Sequence, residues 1–156
     1  MVADLTEVKT YLEQAKIPLR LACTTGSGWP MAVSLWFKYQ DGRLLCATQK
    51  TARLVTYLQN DPRCAFEIAA DLPPYCGVRG QAIASIDETI GGEVLNLLLE
   101  RYLGSTNNSL ARNLLAKLDE EVAIVLKPVN VFTWDFSSRM RDIVSPMLDL
   151  ASKVCP

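Results

Sequence analysis

The pattern of apolar and polar positions divides the chain into short strands and amphipathic helices. Apolar runs and alternating segments, separated by turn residues, predict six strands. These predicted strands span residues 19–25, 30–37, 43–48, 63–69, 76–86 and 122–136. Asp41-Gly42 predicts a tight hairpin turn, because such turns need positive φ angles that glycine adopts freely. Gly80, inside the fifth strand, predicts a bulge or a close approach of backbone or ligand.

Apolar residues at helical spacing predict helices between and around the strands. The first helix is expected to begin at Asp4-Glu7, which have the spacing of a capping box. Further helices are predicted at residues 50–61, 88–103, 109–118 and 145–154. Because helices are inserted among the strands rather than following each one, the pattern predicts a mainly β (α+β) fold, a small antiparallel barrel with peripheral helices. Without a linker or repeat, residues 1–156 are predicted to form a single domain, with the barrel over residues 19–136.

The helix predicted after the third strand has an inverted charge order. Lys50 and Arg53 lie in its first turn, where the helix dipole favours anions by roughly 0.3–1 kcal/mol each. Free backbone N–H groups together with a lysine and an arginine form a receptor for an anion, most simply a phosphate. The alternative interpretation is a solvated helix face.

Composition narrows the function classes. The chain has 156 residues, 49% of them hydrophobic, which fits one domain with a real core and not a disordered chain. A formal net charge of −1 argues against nucleic-acid binding and adsorption to anionic membranes. No apolar run approaches the ~20 residues of a membrane helix, and the first residues lack the features of a signal peptide. A cytoplasmic location is therefore predicted.

The chain contains no histidine. This argues against a Ser-His-Asp hydrolase, a Cys-His protease and a His-ligated metal site, so no metal is predicted. No pair of carboxylates in an apolar setting stands out as a proton-transfer site either. The five cysteines form no C-x-x-C pair and predict buried reduced thiols, with Cys64 and Cys76 as the first exceptions to consider.

Taken in order, several motifs resemble those of the FMN-binding split-barrel family, the pyridoxamine 5'-phosphate oxidase-like flavoproteins. The similar segments are Pro30–Phe37, Asp41-Gly42, Thr48, Ala52–Leu54, Leu58–Pro62, Val78–Ala82 and Val131–Asp135. The resemblance covers roughly residues 5–136 and keeps the order of the motifs. It implies a split barrel, an FMN cofactor, and a homodimer with the flavin at the subunit interface.

The resemblance implies a phosphate end for the cofactor site. Lys50, Thr51 and Arg53 would bind the phosphate, and Thr48 would donate its hydroxyl to the flavin ring or ribityl chain or cap the helix. Many members have a lysine after the arginine, where this chain has Leu54. One lost charge-assisted hydrogen bond is worth about 1.5–3 kcal/mol. Weak FMN binding, deazaflavin F420 and no cofactor at all are therefore the alternatives.

The resemblance also implies a ring end. Leu35, Trp36 and Phe37 would present backbone groups and apolar surface to the flavin ring, and the alternative for them is ordinary barrel core. Gln81 would reach a ring edge, or else be an exposed strand residue. Trp134 matches the late tryptophan of the family, which lies beside the flavin across the dimer interface; the alternative is a core or interface aromatic.

Three functions remain as hypotheses from the sequence. The first is an FMN-dependent oxidoreductase acting on a small-molecule substrate, with substrate, electron donor and catalytic residues unidentified. The second is a non-catalytic dimeric module that binds flavin, heme or another planar ligand. Heme is the weakest version, because the commonest axial ligand, histidine, is missing, although cysteine or tyrosine could serve. The third is a purely structural dimer in which Leu54 marks a lost site.

Overall fold

A computed structural model of the protein describes residues 5–105 and 109–140, with side chains from residue 8 onward. Its strands are β1 (Leu19–Thr24), β2 (Pro30–Leu35), β3 (Lys38–Gln40), β4 (Arg43–Gln49), β5 (Arg63–Ala69), β6 (Cys76–Asp87) and β7 (Glu121–Asp135). Its helices are α1 (Leu5–Gln14), α2 (Arg53–Asn60), α3 (Gly91–Leu103) and α4 (Ser109–Leu115). The seven strands form one sheet in the order β2-β1-β5-β6-β7-β4-β3, and every neighbouring pair is antiparallel. The predicted mainly β, antiparallel fold class is confirmed.

The sheet closes on itself, and the connection from β2 to β3 shows why. The strand predicted over residues 30–37 ends at Leu35, and Lys38 begins a separate strand at the opposite edge of the sheet. Three residues span at most about 11 Å, so the two edges can be joined this way only if the sheet curls into a barrel. Asp41 and Gly42 then turn β3 into β4 with φ angles of 49° and 75°, as the hairpin signal predicts.

The pairing of β6 with β7 contains two irregularities. The register shifts between Gln81, which is opposite Asn130, and Ala82, which is opposite Pro128, so that Val129 is an extra residue on β7. β7 therefore continues through Lys127-Pro128 with a bulge and without a break. Gly80 is a point of close approach, because a Cβ there would collide with the Asn130 carbonyl oxygen and lie 2.8 Å from the Phe66 ring.

The inner face of the barrel carries the main core. Helices α1 and α2 contribute Val8, Leu12, Leu54 and Leu58 to it, and the strands contribute alternate residues. The strand residues of this core include Leu19, Leu21, Phe37, Leu44, Cys46, Phe66, Ile68, Val78, Ile124 and Leu126. The Tyr11 hydroxyl anchors α1 by donating to the Ile68 carbonyl oxygen at 3.1 Å.

Helix α3 covers part of the outer face and ties distant segments together. The Arg101 guanidinium donates to the carbonyl oxygens of Leu12, Glu13 and Ala15 at the end of α1. The neighbouring Tyr102 hydroxyl donates to the Ile17 carbonyl at 3.0 Å and accepts the Phe37 N–H at 3.3 Å. These contacts fix α1 and the β2–β3 connection against α3.

Several predicted boundaries need correction. Helix α2 begins at Arg53 with Ala52 as its N-cap, so Lys50 precedes the helix instead of opening it. Helix α3 begins at Gly91 and not at residue 88, because the Asp87 carboxylate accepts the Thr89 N–H at 2.9 Å and holds a turn there. Helix α4 ends at Leu115, and a 3₁₀ turn at Leu118–Glu120 follows. The Asp4 capping box and the helix at residues 145–154 lie outside the described residues.

Among the cysteines, Cys23, Cys46 and Cys64 are buried thiols. Burial raises the pKa of the Cys64 thiol to about 11, so it is protonated at neutral pH. Cys76, one of the two residues named as exceptions to the prediction of reduced thiols, is disulfide-bonded, whereas the other, Cys64, is a free thiol. None of the described helices is long and apolar enough to span a membrane.

Candidate functional site

The segment before α2 is positioned by backbone hydrogen bonds. The Lys50 N–H donates to the Glu120 carbonyl at 2.8 Å, which attaches the end of β4 to the residue before β7. The Ala52 N–H then donates to the Gln49 carbonyl at 2.9 Å and closes a turn. This turn sets the first residue of α2, Arg53, directly after an extended N-cap.

The amino end of α2 has the donors of an anion site and no internal anion. No side chain caps it, and its first turn contains no acidic residue. Lys50, Thr51 and Arg53 are exposed. Within the part of the chain that the structure describes, neither cation forms an ion pair or a side-chain hydrogen bond. Their charges therefore stand unneutralised beside backbone N–H groups.

Two neighbours of this helix end behave differently from the sequence expectation. Thr48 is half-buried in β4, paired with Val122, and the alternative that it caps the helix is wrong because Ala52 is the N-cap. Leu54 is only 5% exposed and packs in the inner core. A lysine at position 54 would start from an inward-facing backbone position, so Leu54 is a core residue and leaves no gap on the surface.

The three residues predicted to line the flavin ring do not share a surface in the structure. Phe37 is 0% exposed in the inner core, and its N–H is bonded to Tyr102. Leu35 packs against the same core. Trp36 lies on the outer side, stacked on the Tyr102 ring with centroids 5.0 Å apart and planes 9° from parallel. For Phe37 the structure favours the core interpretation.

Gln81 and Trp134 lie on the outer face of the sheet, in a part that no described helix covers. Gln81 is exposed, and its Oε1 accepts the Asn130 amide at 2.9 Å. Trp134 is half-buried opposite Gly77, with its ring 5.3 Å from that of Phe136. Its Nε1–H is buried without a hydrogen-bond acceptor among the described residues. A buried donor of this kind requires an acceptor that the described residues do not supply.

The same part of the sheet forms a groove of about 560 Å³. Small residues make its floor, and Phe132, which is 40% exposed, forms one wall. Charged side chains from three adjacent strands enter it, namely Arg20, Glu67 and Arg79. Sequence reasoning missed these residues, because alternation shows that a strand has an exposed face but not which strands are neighbours.

The described residues hold no cluster of three or more His, Cys, Asp or Glu side chains that could bind a metal. Among the acidic side chains that the structure describes, that of Glu121 at the start of β7 is buried. Burial, followed by the nearby Glu120 charge, raises the pKa of the Glu121 carboxyl. Gln49 is its cross-strand neighbour and directly precedes Lys50.

Comparison with known proteins identifies the fold. No family model and no curated protein matches the sequence. Among solved structures, a conserved hypothetical protein from Mycobacterium tuberculosis aligns with a TM-score of 0.73 at 20% identity, over 93% of this chain and 91% of that one. An F420 reductase aligns with a TM-score of 0.68 at 19% identity, over 80% and 94%. HutZ, the heme storage protein from Vibrio cholerae, aligns with a TM-score of 0.62 at 19% identity, over 82% and 92%.

These proteins share the split-barrel architecture with the present chain, so the predicted split barrel is confirmed. The names of the neighbours differ in function. One is a reductase named for the deazaflavin F420 and another is a heme storage protein.

Proposed function

We propose that the protein is a homodimeric oxidoreductase that uses a flavin-type cofactor, FMN or F420, to act on a small molecule. The observation that carries the proposal is the amino end of α2, where Lys50 and Arg53 have no partner among the described residues and lie beside an uncapped helix end. The structural neighbour named as an F420 reductase supports the choice of cofactor class.

The residues at this helix end fit a phosphate group. An anion there would accept the free N–H groups of the first turn and would be stabilised by the helix dipole. Arg53 offers two parallel donors, and Lys50 offers a point charge from the preceding turn. Thr51 adds a hydroxyl. In the absence of a ligand the two cations interact unfavourably with the helix dipole. A bound phosphate would reverse this effect, because its negative charge interacts favourably with both the cations and the dipole.

The ring end of the cofactor is proposed to lie between two protomers. Gln81 offers an amide to a ring edge, and the buried Nε1–H of Trp134 offers a donor that has no acceptor among the described residues. Thr48 is half-buried near the end of β4, two residues before Lys50, and offers its hydroxyl to the flavin ring or ribityl chain. When bound, a flavin supplies hydride transfer, and these side chains orient it and shield it from water.

The neighbour named as a heme storage protein raises the alternative of a heme-binding module. The present chain has no histidine to serve as axial ligand. Its described free thiols, at Cys23, Cys46 and Cys64, are buried in the barrel core, where a macrocycle has no access. A flavin-type ligand therefore fits the donors on the surface better than heme does.

The first prediction tests the phosphate end through Arg53→Ala. Because Arg53 opposes the helix dipole, its removal should leave the Tm of the ligand-free protein unchanged or slightly higher. It should weaken FMN binding by about tenfold or more, because a charge-assisted hydrogen bond contributes about 1.5–3 kcal/mol. The measurement is thermal melting with and without FMN, supported by flavin fluorescence titration. The same titration with F420 decides between the two cofactors.

Lys16→Ala is the matched control, since Lys16 is exposed, carries the same charge and lies after α1 with no proposed ligand. It should leave the shift in Tm produced by FMN unchanged. If FMN stabilises Arg53→Ala as strongly as the parent, the cations before α2 are only a solvated surface. A separate experiment, the anaerobic reduction by NADH or NADPH of flavin bound to the parent protein, distinguishes an oxidoreductase from a binding module.

A further inference from the structure

The disulfide at Cys76 has one possible partner within the printed sequence. That sequence contains five cysteines, at positions 23, 46, 64, 76 and 155. Cys23, Cys46 and Cys64 are free thiols, whereas Cys76 is bonded. Since a disulfide joins two cysteines, the count leaves Cys155 for an intrachain bond. Cys76 is also only 2% exposed, which disfavours a bond to a second copy at the surface.

The chain comes back to Cys76 at the end of β7. Asp135, the last residue of β7, is the register partner of Cys76 in β6, and paired residues of antiparallel strands have Cα atoms about 4.5–5.5 Å apart. The Phe136 N–H then donates to the Tyr75 carbonyl oxygen at 2.9 Å. A single 3₁₀ turn leads on to Met140, so the chain at that point is still close to the strand that carries Cys76.

The length of the following segment allows Cys155 to reach Cys76. Cys155 follows Met140 by 15 positions, and the sequence predicts a helix over residues 145–154. Five extended residues span at most about 18 Å, and a helix of ten residues is about 15 Å long. The segment can therefore run outward to residue 145 and return along its helix, which allows the Cα separation of about 4.4–6.8 Å that a disulfide requires.

The edge around Cys76 exposes large apolar side chains. Leu72, Tyr75 and Phe136 are 46%, 39% and 40% exposed. Leu72 and Tyr75 shortly precede Cys76 in the chain, and Phe136 is hydrogen-bonded to Tyr75. The predicted helix has an apolar stripe of its own, made of Met147, Leu148, Ala151 and Val154. A covalent bond between two apolar surfaces lowers the entropic cost of burying them against each other.

We propose that Cys76 and Cys155 form an intrachain disulfide that fastens residues 141–156 against the edge formed by Leu72, Tyr75 and Phe136. Bond formation removes two electrons and two protons from the two thiols. A small disulfide such as glutathione disulfide accepts them and leaves as two thiols, and a dithiol reverses the exchange. The segment is therefore held under oxidising conditions and released under reducing ones. The inference rests neither on a bound flavin nor on a second copy of the chain.

Thiol counting and peptide mapping test the pairing. Protein oxidised with glutathione disulfide, then denatured in maleimide without reductant, should be labelled at three cysteines, and at five if dithiothreitol is added first. Trypsin cleaves after Arg63, Arg79 and Lys153, so the unreduced digest should contain residues 64–79 joined to residues 154–156. Five labelled cysteines in the oxidised protein, or a covalent dimer on a non-reducing gel, would overturn the proposal.

Two substitutions identify the partner. Cys155→Ser lies outside the barrel and should expose a fourth thiol, that of Cys76, without any reductant. Cys64→Ala is the matched control, because Cys64 is a free thiol on the same tryptic peptide as Cys76. It should keep the joined peptides and lower the count to two. If Cys76 stays blocked in Cys155→Ser, the partner is another group and the proposal is wrong.

Hydrogen exchange separates a docked segment from a loose tether. In the oxidised parent, the amides of residues 72–79 and 133–140 should exchange about tenfold more slowly than in Cys155→Ser, because the segment covers them. Dithiothreitol should bring the parent to the rates of the variant, while the amides of α3 keep theirs. Equal exchange with and without the disulfide would show that residues 141–156 do not pack on this edge. The Arg53 test of the cofactor site is independent of either result.

Discussion

Strand β7 passes through two environments, and its two halves differ in what they pack against. Residues Glu121–Leu126 are buried without exception, because the barrel core lies on one side and α3 on the other. Residues from Lys127 onward are all exposed or half-buried, because only the inner side of this half is covered within the described residues. The bulge at Val129 lies close to this boundary.

The difference separates a stabilising half of the sheet from a half available for contacts. Under α3, side chains such as Val125 and Leu98 form an outer cluster of their own. On the uncovered half, the outward residues are charged, aromatic or small, and two of the charges lack partners within the described residues. Both halves belong to one sheet, so the helix α3 determines which half forms a buried apolar cluster that stabilises the fold.

The largest expected effect contrasts a side chain of α3 with one on the uncovered strand. Leu99 lies on the buried side of α3 and is 0% exposed, so Leu99→Ala should lower the free energy of unfolding by about 2–5 kcal/mol. Ile83 is 42% exposed on the outer face of β6, and Ile83→Ala should cost less than about 1 kcal/mol. Urea denaturation of both variants measures the two values. Comparable losses would show that the uncovered half is as tightly packed as the covered one.

A second contrast lies within two consecutive glycines at the start of α3. A Cβ on Gly91 would collide with the Glu121 carbonyl oxygen and lie 2.6 Å from the Val122 Cα, both of them backbone atoms of β7. Gly91→Ala should therefore destabilise the fold by about 1–3 kcal/mol through overpacking. Gly92 is the control, since its nearest neighbour is the flexible Leu118 side chain at 3.2 Å. Equal unfolding free energies for the two variants would mean that α3 is free to shift away from β7.

The sequence was sufficient for the fold class and for most of the elements, because their signals are local. Asp41-Gly42 marked a hairpin through its own φ preferences, and Gly80 marked a close approach. The break after Leu35 was not predictable in this way, since the apolar run continues through Trp36 and Phe37 while the chain moves from one edge of the sheet to the other. The end of β2 and the start of β3 are set by the closure of the barrel, which places the two strands at opposite edges of the sheet.

The candidate site was predicted in part for the same reason. The cations at the start of α2 lie within a few consecutive residues, so the sequence alone indicates them. The structure leaves Lys50 and Arg53 exposed and unpaired within the described chain. The groove lined by Arg20, Glu67 and Arg79 could not be predicted in this way, because it depends on how β1, β5 and β6, which are distant in sequence, pair with one another. Tyr102, which stacks on Trp36, is 66 positions away along the printed sequence and carries no local signal for that contact.

The smallest expected effect concerns Glu121, under the start of α3. The residue is 6% exposed, and its carboxyl forms no hydrogen bond or ion pair within the described residues. Burial, followed by the nearby Glu120 charge, raises the pKa of that carboxyl. Folding therefore favours the protonated form, whose contribution to stability is complete below the unfolded pKa of about 4.3 and is lost as the pH rises through the folded pKa. At pH 7 the ionised carboxylate is a cost to the folded state.

Glu121→Gln removes that cost while keeping the size of the side chain. We expect the variant to have a higher Tm than the parent at pH 7, and the difference to shrink as the pH is lowered towards 4, where the parent carboxyl is protonated in both states. Thermal melting at a series of pH values measures the difference. Glu100→Gln removes the same charge from an exposed position of α3 and should change Tm little at any pH. A Glu121→Gln difference independent of pH, or a lower Tm at pH 7, would show that the carboxylate has a stabilising contact and that the covered half of the sheet accommodates a charge without cost.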